Sequence, residues 1–180
     1  MITLGITGLV GAGKGVAAKY LESRGFFYYS VRDFLATELR KRGISVNRDS
    51  LINLANELRS IYGPGYTAQI IPTGLDVVAE SIRTEGEIIE LKKREGFYLI
   101  AIIAEERIRF ERIKKRNSET DHISFEEFLV FEKREATSND PGVINLFRCI
   151  ELADFKVDNN GALDDLYRRL RDVLLKIRPK

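Results

Sequence analysis

Short apolar runs alternate with helix-spaced stripes along the whole chain. Ile2 to Thr7 is a brief apolar run, the kind that a strand buried on both faces of a parallel sheet requires. Behind it Val16, Ala17, Tyr20 and Leu21 recur on one helical face, with Gly25 as a natural stop. Phe26 to Tyr29 reads as a second strand. Ser30 then caps a helix that runs to about Arg42, with Phe34, Leu35 and Leu39 on its apolar side and Gly43 ending it. Leu51, Leu54, Ala55 and Leu58 stripe a third helix over Arg48 to Tyr62. Gly63-Pro64-Gly65 breaks the chain before a short helix across Thr67 to Ile71.

The same alternation continues downstream. Leu75 to Ala79 predicts a buried strand ending at Glu80, Glu85 to Glu95 a helix, and Phe97 to Ala104 the clearest strand of all. From Glu105 the pattern is helical, with Ile108, Phe110 and Ile113 apolar among arginines and lysines, up to the polar stretch Asn117 to Ile123. Ser124-Phe125-Glu126-Glu127 is a capping box that starts a helix to about Ala136. Val143 to Leu152 reads as a further helix, Asp154 to Asp158 as the last strand, and Ala162 to Ile177 as a closing amphipathic helix. Strands that alternate with helices predict an α/β fold, a parallel sheet of about five strands flanked by helices, in one domain over residues 1–180. In such sheets ligands bind beyond the carboxyl ends of the strands.

Composition narrows the classes of partner. The chain has 180 residues, 44% of them hydrophobic and 31% charged, enough for a proper core and a well-solvated surface. A net charge of +2 gives no bulk electrostatic case for nucleic acid or a membrane surface, and no apolar stretch approaches ~18 residues. One cysteine, Cys149, and one histidine, His122, exclude an internal disulfide framework and a Cys/His zinc cluster, and suit a reducing cytoplasm. The partner to expect is a small molecule.

The chemistry begins directly after the first strand. Gly8-Leu9-Val10-Gly11-Ala12-Gly13-Lys14-Gly15 has the spacing G-x-x-x-x-G-K between a strand and a helix, the arrangement of a phosphate-binding loop. Its glycines leave the backbone N–H groups of Gly8, Gly11, Ala12, Gly13, Gly15 and Val16 free to converge on phosphate oxygens, at a helix N-terminus that favours an anion. Lys14 would reach the β- and γ-phosphates as a mobile charge. The residue after the lysine is usually Ser or Thr, whose hydroxyl holds Mg²⁺. Here it is Gly15, followed by Val16. The metal is then held through water and another carboxylate, or the site binds nucleotide without turning it over.

Other candidates follow the later strands. The second strand delivers Ser30 and Asp33 to a helix N-terminus, with Arg40 two turns along that helix available to an acceptor phosphate; capping by Ser30 alone is the plainer alternative. The third delivers Glu80, a carboxylate able to hold hydrated Mg²⁺ or accept a proton, and Arg83, able to grip a phosphate in bidentate fashion. Arg109, Arg112 and Arg116 share related helical faces before the polar loop, and Arg112 and Arg116 are the expected neutralisers of phosphoryl charge, with Arg134 a weaker candidate. The turn Asn159-Asn160-Gly161 can present backbone groups to the base of a donor nucleotide.

These residues resemble the nucleoside monophosphate kinase group of P-loop proteins over nearly the full length. The loop ending Gly11-Ala12-Gly13-Lys14-Gly15 is similar to the adenylate kinase form, which has Thr where this chain has Val16. Closer still is the resemblance to an archaeal family of uncharacterised nucleotide kinase-like proteins. It runs through Ser30 to Arg40, Asn56 to Arg59 with Tyr62-Gly63-Pro64, Ser81-Ile82-Arg83 with Glu87, Arg109 to Arg112, Phe125 to Phe128, and Arg134-Glu135. Ala153-Asp154 through Leu163 looks like dephospho-coenzyme A kinase. The resemblance implies a P-loop kinase core, an acceptor-binding helical region at about 30–72 that includes Arg59, and a short lid at about 115–123. Family members usually carry Asp where this chain has Glu80. ATP and Mg²⁺ are the implied cofactors. Three readings follow: a kinase acting on a nucleoside or deoxynucleoside monophosphate, a dephospho-coenzyme A kinase, and a nucleotide-binding module with little turnover.

Overall fold

The computed structural model describes residues 1–116, 123–136, 140 and 142–178, the side chains of 134–136 excepted, so most of the expected lid, His122 and the Arg134 side chain lie outside the described residues. Its centre is β1 (Thr3–Thr7), every residue of which is buried. The strands β2 (Phe27–Ser30), β3 (Val77–Glu80), β4 (Phe97–Ile103) and β5 (Phe155–Asp158) complete a sheet in the order β2-β3-β1-β4-β5. All four pairings are parallel, with Gly5 set between Ala79 and Leu99.

Alternate side chains of these strands feed two cores. On one face Leu4, Ile6, Val78, Ile100 and Ile102 pack against α1 (Lys14–Glu22) and α9 (Leu163–Ile177), whose Tyr20 and Tyr167 rings stack at 4.6 Å. On the other, Val77, Ala79 and Leu99 meet α2 (Val31–Lys41), α3 (Arg48–Tyr62), α4 (Tyr66–Gln69), α5 (Glu85–Leu91) and α8 (Leu146–Glu151). Each Leu or Ile fully buried in this way contributes about 1.5–3 kcal/mol. Two further helices, α6 (Glu106–Arg116) and α7 (Phe125–Ala136), are joined by the rings of Phe110, Phe125 and Phe128, whose centroids lie 5.0–6.0 Å apart.

Several elements differ from the periodicity at their ends, three of them where a polar side chain intervenes. The third strand begins at Val77, since Asp76 turns aside to accept from the Ile2 amide at 2.6 Å. The helix expected over Glu85 to Glu95 stops at Leu91, and Arg94 beyond it donates to the carbonyls of Ala68, Ile71 and Pro72, which end the α4 region. The helix expected over Val143 to Leu152 contracts to α8, because the Asn145 side chain caps it by accepting from the Arg148 amide at 2.9 Å. Meanwhile α1 begins two residues before Val16, at Lys14, so its N-terminus opens directly onto the glycine loop.

Candidate active site

The loop between β1 and α1 is pressed against the segments that carry Ile102, Arg109 and Asn159. Gly11 and Gly13 have φ of 78° and 101°, the left-handed region that glycine tolerates. A Cβ on Gly11 would collide with the Arg109 carbonyl, and one on Gly13 with the Asn159 side-chain amide. Beneath the loop Asn159, 6% exposed, donates from Nδ2 to the Ala12 carbonyl at 2.8 Å. From the side Arg109, 4% exposed, donates to the Ala104 carbonyl at 2.9 Å and the Val10 carbonyl at 3.3 Å, and forks onto the Glu132 carboxylate of α7. Lys14 folds over the loop, its ammonium donating to the carbonyls of Gly8 and Leu9 at 2.8 and 3.0 Å.

The loop forms one wall of a cleft of about 750 Å³ at the carboxyl ends of the strands. Of the residues expected in the site, Gly11, Gly13, Lys14, Gly15, Val16, Arg59, Glu80, Arg83, Arg112 and Arg116 line it together. The Glu80 carboxylate sits beside the loop: a Cβ on Gly15 would stand 3.8 Å from each of its oxygens, and the Tyr28 hydroxyl donates to Oε2 at 2.7 Å. Burial, and then the Glu80 charge, push the Tyr28 phenol well above its ordinary range. Ser81 follows at φ 76°, a left-handed turn that ends the β3 ladder and directs the chain to Arg83.

On the far wall α3 presents Arg48, Leu51, Ile52, Ala55 and Arg59, one helical stripe with a cation at each end and aliphatic carbons between. Arg59 is 6% exposed, and its Nη2 donates to Asn56 Oδ1 at 2.9 Å. Its Nε is buried without a hydrogen-bond partner, as is Nη1 of Arg112 across the cleft. Burial lowers the Arg59 pKa, with the Glu87 carboxylate pulling the other way. Glu87 itself is 1% exposed and accepts from Thr67 Oγ1, Thr84 Oγ1 and the amides of Arg83 and Thr84. It ties Thr67 of α4 to the turn that follows β3.

Several expected residues do not reach the cleft lining. The Ser30 hydroxyl accepts from the Asp33 amide at 3.1 Å as the N-cap of α2, which is the plainer of its two readings. Asp33 and Arg40, seven residues apart, share the exposed face of that helix while Val31, Leu35, Ala36 and Leu39 turn inward. Asn159, as described, is engaged under the loop, and Asn160 Oδ1 accepts from the Glu105 amide at 2.7 Å where β4 passes into α6. Gly161 adjoins Asp165 at the start of α9, while Gly8 and Ala12 serve the loop from its inner side.

Other residues line the cleft to which the sequence reading gave no site role, notably Arg32, Arg48, Lys115 and Glu87. Arg48 carries a detectable sign: a cation in the first turn of a helix opposes the helix dipole, and such a placement asks for another purpose. Glu87 carries one too, because Thr84-Glu85-Gly86-Glu87 is a capping-box pattern. Cys149 is buried against the sheet, which pushes its thiol up to about 12 and makes it inert. Among the described residues no cluster of three acidic, histidine or cysteine side chains forms a metal cage, and no helix is long and apolar enough to cross a membrane.

A five-stranded parallel sheet, a glycine loop running into α1 and flanking helices around one cleft make a P-loop kinase fold. The chain belongs to the AAA domain family, whose model matches residues 4–140, and to the UPF0200 proteins, one of which, UPF0200 protein MJ1399 of Methanocaldococcus jannaschii, is 30% identical over 185 residues covering 98% of this chain and 91% of that one. Among solved structures, TT1252 from Thermus thermophilus aligns with a TM-score of 0.65 at 22% identity, covering 98% of each chain. Shikimate kinase from Acinetobacter baumannii, in complex with shikimate, aligns with a TM-score of 0.57 at 14% identity, covering 100% of this chain and 96% of that one. At these identities the likeness is one of fold.

Proposed function

We propose that this protein is an ATP-dependent phosphotransferase whose acceptor is a nucleoside or deoxynucleoside monophosphate. The observation that carries the proposal is Arg59: a guanidinium 6% exposed, on the cleft wall opposite the glycine loop, with Nε unpartnered. A buried cation with an orphaned donor is costly unless an anion completes it. Arg83 lines the same cleft, and a phosphate monoester is the ligand that two neighbouring guanidinium groups suit. Between the cations at its ends, the α3 stripe offers only Leu51, Ile52 and Ala55. That wall suits the flat, weakly solvated body of a base better than a polyol, which needs hydrogen-bond partners throughout.

The donor side fits a nucleoside triphosphate. Gly11 and Gly13 let the loop's backbone settle against Arg109 and Asn159 where a side chain would collide, Lys14 is at hand, and Arg112 brings a second orphaned guanidinium nitrogen. Glu80, beside Gly15, is the residue suited to hold Mg²⁺ through water, a mode in which one carboxylate and phosphate oxygens suffice. The bound ion would neutralise charge on the phosphates. In the reaction the bond from the γ-phosphorus to the β–γ bridging oxygen breaks, and one forms to an acceptor phosphate oxygen. That oxygen is already ionised at neutral pH, since the second pKa of a phosphate monoester is about 6. No general base is required, and the work left to the protein is positioning and charge neutralisation by Lys14, Arg112 and Arg116.

The dephospho-coenzyme A reading needs a base for a ribose hydroxyl. Asp33, one of its two candidates, is on the solvent face of α2. ADP release measured across nucleoside and deoxynucleoside monophosphates, dephospho-coenzyme A and shikimate tests the proposal. It is supported by acceptor-dependent turnover with a monophosphate, and it is refuted if none of the monophosphates stimulates ADP release.

A further inference from the structure

We infer that Tyr28 is the positioning residue for Glu80, fixing from β2 the carboxylate that stands in for the hydroxyl the glycine loop lacks at Gly15. The inference rests on the donor-site reading above. In the usual loop the residue after the lysine puts a hydroxyl on the metal. Gly15 removes it and leaves a gap: a Cβ there would be 3.8 Å from both Glu80 oxygens, within reach of one more bond. The Tyr28 phenol meets the same carboxylate from the adjacent strand, donating to Oε2 at 2.7 Å. Ser30 pairs with Glu80 across β2 and β3, so Tyr28, two residues back, projects on the same face of the sheet.

The phenol is held in place. Its ring packs at the margin of the core under α1, and the Lys19 ammonium of that helix lies 4.4 Å from the ring centroid. A tyrosine so clamped is a pre-organised donor. This matters because Glu80 carries one more side-chain torsion than an aspartate, and that freedom must be frozen before the carboxylate can act at a fixed place. The longer side chain spans the space over Gly15, and the hydrogen bond from Tyr28 fixes its end. Gly15, Glu80 and Tyr28 are therefore parts of one arrangement, in which a carboxylate on the neighbouring strand, fixed by Tyr28, takes the place of the loop hydroxyl.

The test is binding of Mn²⁺, a paramagnetic stand-in for Mg²⁺, to the full chain with ADP present, free ion being read by electron paramagnetic resonance. Tyr28→Phe is expected to weaken Mn²⁺ about tenfold, the usual effect of removing a partner of a metal-holding group. Its affinity for ADP without metal stays that of wild type, which a merely structural defect would not allow. Adding Gly15→Ser to Tyr28→Phe is expected to restore most of the loss, because the new hydroxyl stands beside the same carboxylate. Wild-type Mn²⁺ affinity in Tyr28→Phe, an equal loss of metal-free ADP binding, or no recovery with Gly15→Ser overturns the inference. Absence of ADP-dependent Mn²⁺ binding in the wild type is a separate result, which overturns the donor-site reading and the inference with it.

Discussion

The side-chain amide of Asn159 donates to the carbonyl oxygen of Ala12 at 2.8 Å across 147 residues of chain, fastening the end of β5 to the floor of the glycine loop. The same amide occupies the space that a Cβ on Gly13 would need. Asn159→Ala leaves a buried carbonyl unpaired, so it should cost about 1–3 kcal/mol of stability. It should also weaken nucleotide binding by loosening the loop. Denaturant unfolding and calorimetry with ADP measure the two effects; a variant with wild-type ADP affinity would show that the brace does not shape the loop.

Arg109 and Glu132 join α6 to α7 as an ion pair, their side chains 5% and 11% exposed. Arg109→Met strands the carboxylate and should destabilise by about 3–5 kcal/mol. The double change Arg109→Met with Glu132→Leu should recover much of that loss, since neither charge then remains buried. Unfolding curves of the two variants decide it, and a double variant no better than the single one would contradict this account of the pair.

Ser81 holds φ at 76° without being glycine. Relieving that conformation with Ser81→Gly should stabilise the fold by up to about 1 kcal/mol, whereas Ser81→Val should destabilise it by more, because a β-branched residue resists the left-handed region. Thermal unfolding of both variants gives the comparison.

Burial drives the Cys149 thiol up to about 12. At pH 8 the folded protein should resist alkylation by iodoacetamide, while the unfolded chain reacts. The sign of the pH effect follows. An unfolded cysteine ionises near 8.5, and the folded one keeps its proton to higher pH, so the stability this burial contributes is full below about 8.5 and falls as pH rises from there. Cys149→Ala should flatten that alkaline decline.

How much of this was legible in the residues differs between fold and site. The order of strands and helices followed from apolar periodicity, because the central strands β1 and β3 are buried on both faces and the packed helices on one. The loop followed from its spacing. Residues set by chain direction at a strand end, Glu80 and Arg83, also came to the cleft. Asp33 and Arg40 did not, because their place depends on the rotation of α2 about its axis, which the packing of Val31, Leu35 and Leu39 decides. Asn159 shows a different limit. Its position after a strand was readable and suggested backbone groups offered to a base, but the role of its side chain depended on a contact 147 residues away. Tyr28 acts on Glu80 across two strands, and Glu87, though its capping box was readable, also accepts from Thr67 of α4; local sequence carries no trace of those two partners.

The central claim is that the glycine loop and Arg59 hold the two ends of one reacting pair. The direct measurement is calorimetric binding of a bisubstrate analogue, adenosine joined through a polyphosphate to a second nucleoside, to wild type, Lys14→Ala and Arg59→Met. One analogue should bind per chain, well over tenfold tighter than ATP, and each variant should lose most of that gain. Binding no tighter than ATP, or an Arg59→Met protein that binds the analogue as wild type does, would contradict the account.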